Sequence, residues 1–210
     1  MSSSTSRSRR AEAPRRPRFS YPIVLDLEGV VVLVVGAGRI GARKAEGLAA
    51  GGARVRLVAT DVSEHVDRAA IDEVRVKLFD DADLDGVRLV VTATGDVDVD
   101  HRVSTAARER GIWVNAADQP VDCDWILPAI TRSGRVTGAI STDGASPALA
   151  GHLRDRVAEI LDERVAEAAE VLAAERHEVQ REGGSTDDLD WTPRLAELLG
   201  GATSPPPVHD

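Results

Sequence analysis

Aromatic side chains are nearly absent: two Phe, three Trp and one Tyr make up 3% of 210 residues. A core must therefore be filled by Val, Leu, Ile and Ala rather than built around large rings. Cys123 is the one cysteine, which excludes an intrachain disulfide and fits a reducing, cytoplasmic setting. Its thiol reads as a small buried hydrophobe. His65, His101, His152, His177 and His209 are scattered without metal-ligand spacing, so no residue is assigned to a permanent metal site. No apolar run approaches the length of a membrane span, and the N-terminus lacks the apolar stretch of a secretory leader. Positive charge is in short supply, with 26 Lys and Arg against 35 Asp and Glu and a net charge of −9. Residues 1–18 hold six Arg and one Glu, so the rest of the chain carries −14. That balance argues against nucleic-acid binding by the folded part, because phosphate contacts need a basic face.

What is present is concentrated at residues 30–44, VVVLVVGAGRIGARK. Six apolar residues run into Gly36-Ala37-Gly38-Arg39-Ile40-Gly41, and a helical pattern follows at once. Strand, glycine-rich turn and helix are the arrangement that cradles a dinucleotide pyrophosphate. Gly36 permits the sharp turn, Gly38 lets the backbone approach the phosphates, and Gly41 lets the helix pack on the strand. The helix start, with Arg39 and Ile40, offers free N–H groups to the anion. Asp61 lies twenty positions beyond Gly41, where an acid often takes the ribose hydroxyls and selects NAD. Thr92, Ala93 and Thr94 end a second buried run and are expected to face the cofactor.

The pattern predicts strands at 30–35, 54–59, 74–78, 89–94 and 112–115. It predicts helices at 39–50, 61–71 and 98–110, the last capped by Asp98. This alternation implies an α/β doubly wound parallel sheet. Beyond Asp118 the pattern changes. Runs at 125–131 and 135–141 flank Arg132-Ser133-Gly134, a hairpin signal. Ser146 and Pro147 then read as the N-cap and first position of a helix. An apolar stripe at helical spacing runs from Leu149 to Leu172 within a stretch free of Pro, and of Gly except Gly151, to about Arg181, too long for a small domain unless the helix pairs in a dimer or breaks near Asp162. A last short helix is predicted at 191–199.

These residues match a family. The chain resembles the siroheme synthase N-terminal module, precorrin-2 dehydrogenase, which in some members is also sirohydrochlorin ferrochelatase. The resemblance runs from Tyr21 to about Val157. It is carried by Tyr21-Pro22-Ile23-Val24-Leu25-Asp26-Leu27, the glycine turn with Arg43-Lys44, and Val91-Thr92-Ala93-Thr94. It continues through Asn115-Ala116-Ala117-Asp118 and Cys123-Asp124-Trp125-Ile126-Leu127-Pro128-Ala129. Its last segment is Ile140-Ser141-Thr142-Asp143-Gly144-Ala145-Ser146-Pro147-Ala148-Leu149-Ala150. The glycine turn is shared by many folds; the last two segments, in this order, are far more specific. Asp100-His101 departs from the family pattern, which has Asn followed by a polar residue there, and Gly151 stands where the family often has Arg.

The resemblance implies a Rossmann-type sheet, a hairpin-containing dimerisation segment and a small helical C-terminal domain. The implied organisation is a disordered basic arm at 1–20, an NAD-binding domain at 21–118, a dimerisation and substrate-pocket segment at 119–150, a helical domain at 151–200 and a disordered tail at 201–210. It implies NAD as cofactor, precorrin-2 and sirohydrochlorin as substrate and product, and a homodimer. Bifunctional members also take Fe²⁺, or Co²⁺ in a cobalt pathway. Asp118 matches the family's catalytic aspartate, following a strand where parallel sheets present ligand sites. A polycarboxylate substrate needs local donors, for which Arg43, Lys44, Asn115, Ser141, Thr142, Gly144 and Ser146 are the candidates. The alternatives are a bifunctional ferrochelatase and a non-catalytic NAD-sensing module.

Overall fold

A computed structural model describes residues 18–187 and 189–200. It contains five parallel strands, β1 (Val31–Ala37), β2 (Arg54–Val62), β3 (Glu73–Val76), β4 (Leu89–Thr92) and β5 (Trp113–Ala116), in the order β3-β2-β1-β4-β5. Helix α1 (Arg39–Ala49) connects β1 to β2, and α2 (Val97–Glu109) connects β4 to β5. The sheet has a core on each face. Val32 and Val34 of β1 pack with Ala42, Ala45 and Leu48 of α1, while Leu33 and Val35 pack with Val103 and Ala107 of α2. Burial on both sides is why β1 is apolar throughout rather than alternating. The strand order reverses between β1 and β4, which opens a crevice at their carboxyl ends.

Residues 61–71 do not form the predicted helix. β2 continues through Asp61 to Val62, because a register shift between Val35 and Ala37 lets Ala37 pair with Val62. Only a short 3₁₀ turn (Arg68–Ala70) follows, capped by Asp67, whose side chain accepts from the Ala69 N–H. The cap of α2 is Asp96 rather than Asp98; its carboxylate accepts from the N–H groups of both Asp98 and Val99. The long apolar stripe is two helices, α3 (Pro147–Ile160) and α4 (Glu163–Arg181). Asp162 makes the break by capping α4, accepting from the Val165 N–H at 3.1 Å. Ser146 caps α3 through the Leu149 N–H, with Pro147 at the first position.

The chain divides into two compact units, one ending at Ile126 and one starting at Leu127. Residues 119–126 stay with the sheet because they are tied back to β5. The Asp124 carboxylate accepts from the Val114 N–H at 3.0 Å, and Cys123 sits in the core at 3% exposure. Of the expected basic arm, Arg18 donates to the carbonyls of Pro120 and Cys123, and Phe19 packs against the α2-side core. Residues 1–17, and the tail expected at 201–210, lie outside the described residues. In the second unit, β6 (Ala129–Ser133) and β7 (Val136–Ile140) form an antiparallel hairpin turning at Gly134-Arg135. Gly138 lets α3 approach: a Cβ there would lie 2.9 Å from Val157. A short α5 (Thr192–Leu198) ends the described chain. No helix among the described residues is long and apolar enough to cross a membrane.

Candidate active site at the carboxyl ends of β1, β4 and β5

The three glycines of the turn have different physical reasons to be glycine. Gly36 has φ +101°, and a Cβ there would lie 2.4 Å from the carbonyl oxygen of Ala93. A Cβ on Gly41 would lie 2.0 Å from the carbonyl oxygen of Gly36. Both are demanded by the protein's own packing. Gly38 has ordinary φ −74° and no heavy atom of the described residues within 4 Å of its would-be Cβ. Its missing side chain serves open space above the turn. Gly38 is the N-cap of α1, and no side chain caps that helix or places an acid in its first turn. By contrast, α2 is closed off by Asp96 and carries Asp98 and Asp100 in its first turn. α1 therefore keeps its N–H groups and partial positive charge for an outside anion, which is what a dinucleotide pyrophosphate requires. Arg39, Ile40 and Arg43 are exposed along this helix start. Asp61 is exposed near the end of β2, where Ser63 closes the strand against β1 by donating its hydroxyl to the Ala37 carbonyl at 2.6 Å.

Thr92 and Thr94 are placed beside the crevice but their hydroxyls are spent. Thr92 is fully buried, and both hydroxyls donate to the Asp100 carboxylate. These residues shape the wall, and Ala93 supplies the backbone that crowds Gly36. Val35, Thr92 and Ala116 are neighbours across the sheet, so the turn after β5 stands two strands from the glycine turn, about 10 Å at ordinary strand spacing.

Asp118 is exposed on the turn after β5 with φ 60°, a left-handed conformation that Asp tolerates better than most residues. Lys44 of α1 donates to Asn115 Oδ1 at 2.8 Å, and the Asn115 amide donates to the Trp125 carbonyl at 2.9 Å. Burial pulls the Lys44 ammonium below its usual range, with the Arg43 charge adding to the effect, against the opposing influence of Cys123 and Asp118. Cys123 closes the floor: its sulfur lies 3.2 Å from both the N–H and the carbonyl oxygen of Ala116, and burial pushes the thiol up. The first unit thus brings together the glycine turn, Lys44, Asn115 and Asp118.

The other expected contacts, Ser141, Thr142, Gly144 and Ser146, lie in the second unit and are described by themselves. They form a tight turn before α3, with Asp143 and Gly144 at positive φ. Thr142 Oγ1 accepts from the Ser146 N–H at 3.1 Å, and Ser146 Oγ caps α3, so those hydroxyls hold the turn. Sequence reasoning missed Asp100 as a structural hub. The signal for it in the sequence was its departure from the Asn of the resembled family, at the start of a helix already rich in acids. Among the described residues no group of three or more His, Cys, Asp or Glu side chains is arranged to hold a metal ion.

Residues 23–129 match the model of a family described as "Putative NAD(P)-binding". The siroheme synthase of Methylococcus capsulatus (Bath) is 40% identical over 164 residues, 76% of this chain and 34% of that protein. That of Ectopseudomonas mendocina is 38% identical over 137 residues, 65% of this chain and 30% of that protein. The chain thus spans about a third of the length of these curated relatives. Among solved structures, "SirC, precorrin-2 dehydrogenase" superposes with a TM-score of 0.64 at 28% identity, covering 87% of this chain and 89% of that one.

Proposed function

The chain belongs to the siroheme synthase N-terminal module family, with its NAD(P)-binding domain at residues 23–129, and from that premise we propose that it is an NAD-dependent precorrin-2 dehydrogenase. It would oxidise precorrin-2 to sirohydrochlorin in siroheme or cobalamin biosynthesis, as a cytoplasmic homodimer. The observation that carries the proposal is the pairing of an open Gly38 above an uncapped helix with an exposed carboxylate, Asp118, two strands away at the same carboxyl end of the sheet.

Bound NAD supplies the hydride acceptor. The N–H groups at the start of α1 would hold its pyrophosphate, and the exposed Asp61 would receive its ribose. Asp118 takes the proton that leaves the macrocycle as the hydride departs, a role typically worth ~10²–10⁴-fold in rate. The Lys44 ammonium fixes Asn115 behind it and offers positive charge toward the substrate's carboxylates. The 141–146 turn of the second unit is a further candidate for carboxylate binding. An exposed carboxylate that accepts protons would also serve insertion of Fe²⁺ or Co²⁺ as a second activity, since pyrrole N–H protons must leave; a metal-insertion assay on sirohydrochlorin tests this.

The primary test is NADH formation from enzymatically generated precorrin-2. Asp118→Asn is expected to lose ~10²-fold or more in turnover while keeping its affinity for NAD. Wild-type protein that binds NAD and gives no NADH refutes the dehydrogenase reading; a fully active Asp118→Asn refutes the proton-acceptor assignment.

A further inference from the structure

Asp100 is a buried carboxylate for which the proposed reaction has no role. It is 1% exposed. Its Oδ1 accepts from the Thr92 hydroxyl, the Thr94 N–H at 3.1 Å and the Thr94 hydroxyl at 2.8 Å. Its Oδ2 accepts from the Gln119 side-chain amide at 3.0 Å. All four partners are neutral donors, so the group works purely as an acceptor. Among the described residues no Lys, Arg or His lies within ion-pairing distance of it. Its compensation is four hydrogen bonds plus the positive end of α2. A charge buried at that cost needs a reason.

The two oxygens divide their work. One holds the end of β4, where Ala93 crowds the glycine turn; the other reaches the residue beside Asp118. Backbone bonds flank the 118–119 turn, with the Ala117 N–H donating to the Thr92 carbonyl at 2.8 Å and the Asp122 N–H to the Gln119 carbonyl at 3.0 Å; the Gln119 amide adds the side-chain link to Asp100. Asp118 is exposed, its backbone is left-handed, and the Gln119 N–H donates to the Ala116 carbonyl at a long 3.3 Å. We propose that Asp100 is a positioning residue: through Gln119 it locks the 118–119 turn to the cofactor-facing end of β4, and so holds Asp118 where the reaction needs it. The kinetic part rests on the dehydrogenase reading above; the coupling itself does not. Displacing a reacting group by about 1 Å costs up to ~10²-fold in rate, so a loose turn would be felt in turnover.

The test uses hydrogen-bond polarity. Gln119→Glu sets two acceptors face to face and breaks the link at pH 8. Adding Asp100→Asn gives an amide at 100 that donates to the new carboxylate at 119, while its own oxygen still accepts from the two threonines. The single variant is expected to lose ~10–100-fold in kcat with KM for NAD within about 2-fold of wild type. The double variant is expected to return to within about 3-fold of wild type. In the NAD-free chain, hydrogen exchange at the bonded amides of Ala117, Gln119 and Asp122 is expected to quicken ~10-fold in the single variant and slow again in the double. Gln119→Ala, which removes the link without adding charge, should shift both readouts in the same direction by less, and it serves if Gln119→Glu fails to fold. Unchanged exchange and kcat in the single variants, or a double variant no better than Gln119→Glu, overturns the proposal. Wild-type protein without turnover would instead defeat the dehydrogenase reading and leave the exchange result to decide the coupling.

Discussion

Replacing each glycine of the turn by alanine separates what the fold needs from what the ligand needs. At Gly41 the new Cβ would lie 2.0 Å from the Gly36 carbonyl oxygen, against 3.4 Å for ordinary contact. Helix α1 would have to retreat by about 1.4 Å from a strand buried on both faces. Overpacking against rigid backbone costs roughly 3 kcal/mol or more. At Gly36 the positive φ of +101° adds about 1–2 kcal/mol of backbone strain to a 2.4 Å clash with Ala93. In a chain of this size each kcal/mol shifts Tm by about 2–4 °C, so both variants should melt roughly 6–15 °C low. Gly38→Ala differs. Its φ of −74° suits alanine and the site is open. The reduced entropy of the unfolded chain contributes about 0.4–1 kcal/mol, and the poorer N-cap takes back a similar amount. Its Tm should stay within about 3 °C of wild type. Its NAD Kd, however, should rise at least ~10-fold, because the methyl group stands where the pyrophosphate must approach. Thermal denaturation followed by circular dichroism and NAD titration by calorimetry read the two effects. A Gly38→Ala variant that binds NAD normally would refute the placement of the pyrophosphate over α1. A Gly41→Ala variant as stable as wild type would refute the packing argument.

Two more expectations follow from buried groups away from the glycine turn. Asp83 is wholly buried beneath edge strand β3; burial pushes its carboxyl up, but the Asp80 N–H and the Lys77 and Arg75 cations outweigh this and hold it below the usual range. A lowered folded-state value means its stabilisation is complete above the unfolded value of about 3.9 and is lost as pH falls through the folded one. Asp83→Asn should therefore destabilise by about 1–3 kcal/mol at pH 7, and the loss should shrink progressively as pH falls below the unfolded value, measured by urea denaturation; a loss independent of pH would refute the ion-pair account. The Cys123 thiol, buried and pushed up, should resist alkylation at pH 8 in the native chain and react on unfolding; rapid native labelling would show the floor beneath Ala116 to be open.

Features whose causes are local were legible in the sequence. The strand, glycine turn and α1 follow from neighbouring residues alone, as do the Ser146-Pro147 start of α3 and the hairpin around Gly134. The errors lie where distant partners decide. Asp61 reads as a strand-ending, helix-starting residue, yet the pairing of Ala37 with Val62 keeps the chain extended through it. Asp96 and Asp98 are equivalent as caps on paper. The three-dimensional course of the 94–97 bend selects Asp96, where Thr94 Oγ1 also accepts from the Asp96 N–H at 3.1 Å. Residues 119–126 read as the start of a new segment, but Cys123 and Asp124 bind back to β5.

Asp100 is the sharpest case of what a single sequence conceals. Its residue type suggests a solvated acid on a helix face, and the departure from the family's Asn reads as a blemish. In the fold it faces only donors: two hydroxyls, a backbone N–H and an amide. An asparagine in its place has one acceptor oxygen and must turn its own donor toward Gln119, so the glutamine would have to present its carbonyl oxygen instead. The residue at 100 and the orientation of the side chain at 119 are therefore a matched pair, and reading either alone misses the constraint. Where a buried polar group is satisfied by partners from two separate segments, its meaning belongs to the set, and only the assembled strand ends around β4 and β5 reveal which residues compose it.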